Sequence, residues 1–280
     1  AQQQNGAPMQ LDPLLVKALR TVLEDKALDA AMVAEMLSLP SEAWLTELAD
    51  VADVEAIHHA RKFAQKELGR QLHAPLWSRY QALREQSQCT AFEASAQHFA
   101  RRQLQNVALA YLMQSDATEV LAACTHQFER SDNLSERLAA LSALVNCAHA
   151  AERERALEDF AERYRAHPLV MDQWLGVQAG SAVYGSLEKV RELMRHAAFN
   201  LNNPNRARAL IGAFCNQNLL HFHQTSGEGY RFLADCVLQL DAINPQTAAR
   251  ALWQIQRAKA AANARRTCPP ATGEAVKGRV

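Results

Sequence analysis

The residues best placed to do chemistry in this sequence are cations. The stretch Asn203-Pro204-Asn205-Arg206-Ala207-Arg208-Ala209-Leu210-Ile211-Gly212-Ala213-Phe214 puts two arginines in the first turns of a predicted helix. Asn203 is a capping residue, and Pro204 takes the first helical position, where its missing N–H costs nothing. Ala207, Leu210, Ile211 and Phe214 form one apolar stripe at i, i+3, i+4 and i+7. Ala209, Gly212 and Ala213 leave the other side small enough for a second element to come close. Cations at a helix start oppose the macrodipole, so each arginine needs either an acid from a neighbouring helix or a ligand. Composition alone favours the acid.

A second Asn-Pro start, Asn244-Pro245, lies 41 positions further on. That spacing falls within the range of HEAT and armadillo periods. In this second helix Ala248, Ala251, Leu252 and Ile255 form the buried stripe, while Gln246 and Arg250, four apart, share the opposite face. If the two starts belong to neighbouring repeats, Arg208, Gln246 and Arg250 line one concave surface.

Other reactive groups are scattered. There is no His-Glu-x-x-His, no compact His/Cys cluster with zinc-ligand spacing, no phosphate-binding Gly-rich loop and no Gly-x-Ser-x-Gly elbow. His221 and His223 are the nearest approach to a ligand pair, but on a helix they point about 200° apart. His58-His59 and Arg101-Arg102 read as solvated edges. Trp44, Trp77, Trp174 and Trp253 read as core or domain contacts rather than a stacking platform.

Thirty basic and thirty acidic residues in a chain of 280 give no net charge and hence no global field for nucleic acid or anionic lipid. No apolar run approaches the length of a membrane span, and there is no signal peptide. The six cysteines are dispersed without a C-x-x-C pair, which fits a reducing cytoplasm. Cys124, between Leu121 and Phe128, reads as a small core residue.

The elements that must position these groups are helices. Long stretches rich in Ala, Leu, Glu, Gln and Arg, with few Gly or Pro, predict an all-α chain. Starts are legible at Asp12-Pro13, Asp29, Ser41 and Asp53, the last opening a long pattern to Gln86 that is interrupted or kinked near Pro75. Further helices are predicted at 92–113, 117–129, 134–149, 152–166, 168–179, 187–196 and 230–240. Residues 1–10 read as a polar lead-in. Residues 258–280, nearly devoid of large apolar side chains, read as a disordered tail. Between them, 11–257 is predicted to be one α-superhelix of antiparallel helix pairs, HEAT/armadillo-like.

Several segments together resemble a known family: NNPNRARALIGAF at 202–214, HPLVMDQW at 167–174, SGEGYRFLAD at 226–235, INPQTAAR at 243–250 and MVAEMLSLPSE at 32–42. They are similar, in order and separation, to the C-terminal helical domain of bacterial aminopeptidase N, an M1-family zinc alanyl aminopeptidase. The resemblance covers about 11–256. It implies a domain that is not catalytic by itself and that closes over a thermolysin-like catalytic domain of the same longer chain. The zinc and the Gly-Ala-Met-Glu-Asn motif belong to that other domain, so no cofactor is expected here. The resemblance also implies that Arg208, Gln246 and Arg250 face peptide substrates, with Arg206 a weaker candidate. The expected partners are the catalytic domain and peptides, with no nucleic acid and no membrane. The alternative is a free-standing α-solenoid scaffold that binds an acidic peptide or protein through the same arginines.

Overall fold

The computed structural model describes residues 8–49, 52–89, 93–115 and 117–249, with side chains of 88 and 89 left aside. Among the described residues every regular element is a helix. Most start where a short polar side chain can cap them. Asp12, Asp29, Ser41, Asp53, Ser95, Asn133 and Ser186 each accept a backbone N–H of the first turn that follows. These caps open α1 (Pro13–Glu24), α2 (Ala30–Leu37), α3 (Glu42–Leu48), α4 (Val54–Gln71), α6 (Ala96–Leu112), α8 (Leu134–Val145) and α11 (Leu187–Leu193). The intervening helices are α5 (His73–Cys89), α7 (Thr118–Arg130), α9 (Ala150–Tyr164) and α10 (Pro168–Ala179).

The long pattern from Asp53, expected to be interrupted or kinked near Pro75, is interrupted: it is two helices divided at Leu72. Pro75 is the third residue of α5. A proline in the first turn gives up an N–H that has no intrahelical partner, so it helps start α5 rather than bend α4.

Helices pack in pairs: α5 on α6, α7 on α8, and α9 on α10. One member of each pair also meets the next pair, so α4, α6, α8 and α10 follow one another as an inner layer. Leu104, Leu109 and Leu112 of α6, Leu141 and Leu144 of α8, and Leu175 of α10 are fully withdrawn from solvent along this seam. Burial of each such side chain contributes roughly 1.5–3 kcal/mol. This is the α-superhelix of antiparallel pairs that the sequence predicts.

A buried polar cluster fixes the register of the first pairs. Gln127 Oε1 accepts from Tyr80 Oη at 3.1 Å and Gln105 Nε2 at 3.0 Å, and Gln127 Nε2 donates to Asn106 Oδ1 and to the Glu136 carbonyl. Arg84 and Glu136 pair at 2.9 Å beside it. A satisfied network of this kind tolerates little sliding of α5, α6, α7 and α8, because any shift strands a buried donor or acceptor.

After α11 come α12 (Pro204–Ala207), a π-helical turn (Arg208–Gly212), α13 (Ala213–Gln217), α14 (Leu219–Phe222) and α15 (Glu228–Ile243). Gly227, at φ +71°, makes the left-handed turn that starts α15. Residues 245–249 are helical again, and Asn244 Oδ1 caps them by accepting from Thr247 N at 3.0 Å. Arg250 and the residues after it, the predicted tail among them, lie outside the described residues. Among the described residues no helix is long and apolar enough to cross a membrane.

Candidate substrate-facing site

The Asn203-Pro204 helix forms as expected, with one departure. Asn203 Oδ1 accepts from Asn205 N at 3.0 Å, and Pro204 sits at the first helical position. Ala207, Leu210, Ile211 and Phe214 are all buried, so the predicted stripe is the core face. The departure is the π turn over Arg208–Gly212, which interrupts the i→i−4 ladder between α12 and α13. Turns of this kind accommodate one extra residue and change the direction of the side chains around it.

The expected close approach also forms, and α10 supplies it. A Cβ added at Gly176 would lie 3.3 Å from the Ala209 carbonyl oxygen and 4.0 Å from Ala213 Cβ. Asp172, Gly176 and Gly180 fall at i, i+4 and i+8, so one narrow stripe of α10 meets Arg206 of α12, the π turn and α13. At its far end a Cβ on Gly180 would meet Gln217 Oε1 at 2.7 Å.

This contact separates the two arginines. Arg206 Nε lies 2.6 Å from Asp172 Oδ1, with the two side chains only 13% and 12% exposed. The angle falls short of a hydrogen bond, and the contact is an ion pair between largely desolvated groups. Asp172 is the single charged residue of α10 and also supplies the negative charge that the start of α12 favours. Arg208 has no such partner among the described residues. It is exposed, and its Nη1 lies 3.4 Å from Asn205 Oδ1, one turn back. Its aliphatic stem runs over Gly212, where an added Cβ would be 3.4 Å from Arg208 Cγ. Gln246 is exposed in the first turn of the second Asn-Pro helix.

A second feature was not expected from the sequence. The inner layer closes on itself: α13 follows α10, α13 touches α3, and α14 packs on α4. The closure leaves a cavity of about 420 Å³ lined by, among others, His58, Lys62, Gln114, Asn146 and Gln217. Gln114, Asn146, Gly180 and Gln217 mark the C-terminal ends of α6, α8, α10 and α13, so four carbonyl-bearing helix ends converge there. Such ends favour a cation. Lys62 provides it, donating from Nζ to Gln114 Oε1 at 2.7 Å. Burial lowers the Lys62 pKa, and the neighbouring Arg61 and Lys66 add to the effect. The rim is fixed by Asn218, whose buried Nδ2 lies within 3.0 Å of the Ala179, Ser181 and Gly185 carbonyl oxygens. Neither Arg208 nor Gln246 lines this cavity.

Two expectations about other residues change and a third holds. His58 is not a solvated edge: its Nδ1 lies 2.9 Å from Glu42 Oε1, and both side chains are largely covered. Arg102 is buried with its guanidinium over the Phe99 ring, and Arg101 is partly buried beside it. His221 and His223 diverge, one against the Ala182 carbonyl and the other against Tyr230 Oη.

Comparison with known proteins gives this geometry a context. Residues 1–269 match a family described as a domain of unknown function, DUF3458_C, with ARM repeats. The chain is 34% identical over 259 residues to aminopeptidase N of Escherichia coli K12, aligning 92% of this chain with 29% of that protein. It is 35% identical over 246 residues to aminopeptidase N of Caulobacter vibrioides, aligning 88% of this chain with 28% of the relative. The chain thus spans less than a third of the length of these relatives. Among solved structures, Legionella pneumophila aminopeptidase A in complex with aspartic acid superposes with a TM-score of 0.78 at 28% identity, over 93% of this chain and 32% of the other.

Proposed function

The chain belongs to the DUF3458_C family of ARM-repeat domains, the helical C-terminal part of aminopeptidase N, and from that premise we propose that it walls the active-site chamber of a separate M1-type catalytic domain. In this reading Arg208, with Gln246 and Arg250 from the next Asn-Pro helix, contacts the peptide whose N-terminal residue is removed. The observation that carries it is the contrast within α12 and the π turn: Arg206 is paired with Asp172, whereas Arg208 is exposed with no carboxylate partner among the described residues. Arg206 accordingly acts as a structural cation.

The chemistry assigned to this chain is recognition. A guanidinium presents donors in a planar fork that suits peptide carbonyls or a C-terminal carboxylate, and Gln246 adds a donor and an acceptor. Inside a closed chamber water competes less for these bonds, so they hold the peptide more firmly than on an open surface. A wall also limits access to short or unfolded peptides.

The family's zinc does not fit here. Among the described residues no group of three or more His, Cys, Asp or Glu side chains could hold a metal ion. We therefore assign the metal to the catalytic domain. We also place the protein in the cytoplasm, a reading supported by the unpaired, buried Cys124, Cys147, Cys215 and Cys236.

The test is complementation. A separately produced M1 catalytic domain is assayed on alanyl-p-nitroanilide and on short peptides, with and without this chain. The chain alone should be inactive with or without zinc, and its addition should raise kcat/KM on peptides. No binding to the catalytic domain, or an effect unchanged by Arg208→Ala, would remove the reading in favour of a free-standing scaffold.

A further inference from the structure

The helical stretch that carries Arg208 has three faces. Ala207, Leu210, Ile211 and Phe214 turn into the core. Ala209, Ala213 and Gln217 meet the glycines of α10. The third face is Asn205, Arg208, Gly212 and Asn216, and its members touch one another in turn. Arg208 Nη1 lies 3.4 Å from Asn205 Oδ1, the Arg208 stem lies over Gly212, and Asn216 Nδ2 donates to the Gly212 carbonyl at 2.8 Å. Asn205, Arg208 and Asn216 are exposed.

Gly212 is the member that needs a reason. Glycine inside a helix weakens it relative to alanine. The backbone does not demand one here, since φ is −63° and ψ is −41°, ordinary helical values. Packing does not demand one either. Among the described residues an added Cβ would meet only the Arg208 side chain, Cγ at 3.4 Å and Cβ at 4.0 Å, which is ordinary van der Waals contact. Gly176 and Gly180 differ, because atoms of the α12–α13 stretch stand 3.3 Å and 2.7 Å from where their Cβ would be. At 212 the chain gives up helix stability and uses the space for no contact of its own. That space lies against the stem of the exposed arginine.

We propose that the main chain of the peptide substrate passes over Gly212, between Arg208 and Asn216, which makes Gly212 a specificity-determining residue. This assignment rests on the chamber reading of Arg208. A glycine lets a second backbone come closer than any other residue allows. A peptide main chain offers both carbonyl and N–H groups. The Arg208 guanidinium donates to the former, and the Asn216 carboxamide, whose Nδ2 is held by the Gly212 carbonyl, keeps its oxygen as an acceptor for the latter. A side chain at 212 would hold the peptide away from both.

The test compares wild type, Gly212→Ala and Arg208→Ala, each in complex with the separately produced catalytic domain, on tetra-alanine and on alanyl-p-nitroanilide. The nitroanilide has no main chain beyond its first amide. Gly212→Ala should raise Tm, because alanine is the better helix former and its methyl fits beside Arg208. It should nonetheless lower kcat/KM on tetra-alanine by about 3- to 10-fold and on the nitroanilide by less than about twofold. A variant more stable than wild type yet poorer on the longer substrate cannot owe its loss to misfolding. Full activity of Gly212→Ala on tetra-alanine, with Arg208→Ala impaired, would overturn the role of Gly212 and leave the chamber reading standing. Equal losses on the two substrates would overturn it as well. If Arg208→Ala is also fully active, or no complex forms, the chamber reading fails and this assignment falls with it.

Discussion

Arg206 Nε lies 2.6 Å from Asp172 Oδ1, across the seam where α12 meets α10. The pair does three things at once. It supplies the acid that a cation at a helix start needs, it ties α12 to α10, and it occupies the Arg206 guanidinium.

Removing one partner therefore leaves the other stranded. Arg206→Ala should lower unfolding free energy by about 1–3 kcal/mol, less than for a fully buried pair because both side chains retain some solvent contact. Replacing both, as Asp172→Asn with Arg206→Gln, should recover part of that loss. Urea denaturation of the single and double variants measures the difference. An Arg206→Ala protein as stable as wild type would show that the contact is not a stabilising one.

Gly176→Ala tests the close approach on the same seam. The new methyl would sit 3.3 Å from the Ala209 carbonyl oxygen, a backbone atom held in the π turn. Ala raises helix propensity by about 1 kcal/mol over Gly, but overpacking a fitted contact costs about 1–3 kcal/mol. We expect net destabilisation, seen as a lower Tm. A gain in Tm would mean that α10 and the π turn can separate freely.

Much of this arrangement was legible in the residues. The caps at Asp12, Asp29, Ser41 and Asn203 and the buried stripe of Ala207, Leu210, Ile211 and Phe214 are local signals, and local signals survive folding. The small face of Ala209 and Ala213 announced a neighbour but not which one. Asp172 carried a usable clue, being the lone charge in an apolar helix, but matching it to Arg206 requires knowing that α10 packs on α12. The π turn left no trace, since Arg-Ala-Leu-Ile-Gly is ordinary helix-forming sequence. The cavity around Lys62 depends on contacts between α4 and α14, far apart in the chain, and no periodicity reports such contacts. Adjacent like residues at His58 and Arg102 read as an exposed edge, whereas Glu42 of α3 covers the one and the Phe99 ring, one turn back on α6, lies against the guanidinium of the other.

The buried thiols make a prediction about reactivity. Burial pushes the Cys124 and Cys215 thiols far up and the Cys236 thiol up to about 12, so none forms appreciable thiolate near neutral pH. In native protein at pH 8, iodoacetamide should leave these three unmodified over a period in which denatured protein reacts fully. Peptide mass spectrometry reads the extent at each site. Rapid native labelling of Cys215 would show that the core beside Phe214 opens readily.

Acid sensitivity has one identifiable contributor. Hydrogen bonds from Arg70 and Gln71 hold the Glu67 carboxyl down at about 2, against an ordinary value of 4.5. A depressed carboxylate stabilises the fold above its unfolded pKa, and that contribution is lost as pH falls through the folded one. The difference in Tm between wild type and Glu67→Gln should be present at pH 6 and shrink between about pH 4.5 and about pH 2. A difference that stays constant down to pH 2 would mean that the hydrogen bonds do not favour the ionised form.

The two arginines of the Asn203-Pro204 helix should part company in a peptidase assay. Arg208 is exposed and makes only a weak contact with Asn205, so Arg208→Ala should leave Tm nearly unchanged. If its guanidinium binds peptide in the assembled enzyme, losing a charged hydrogen bond of about 1.5–3 kcal/mol lowers kcat/KM by roughly 10- to 150-fold. Gln246→Ala removes a neutral bond and should cost about 2- to 10-fold. Arg206→Ala should do the reverse, losing stability while the folded fraction keeps its kcat/KM. Arg208→Lys sharpens the assignment: it keeps the charge but loses the planar fork, so recovery on longer peptides would indicate a simple electrostatic role. Equal activity of the Arg208→Ala and wild-type proteins, measured in complex with the catalytic domain, would show that this residue does not contact substrate.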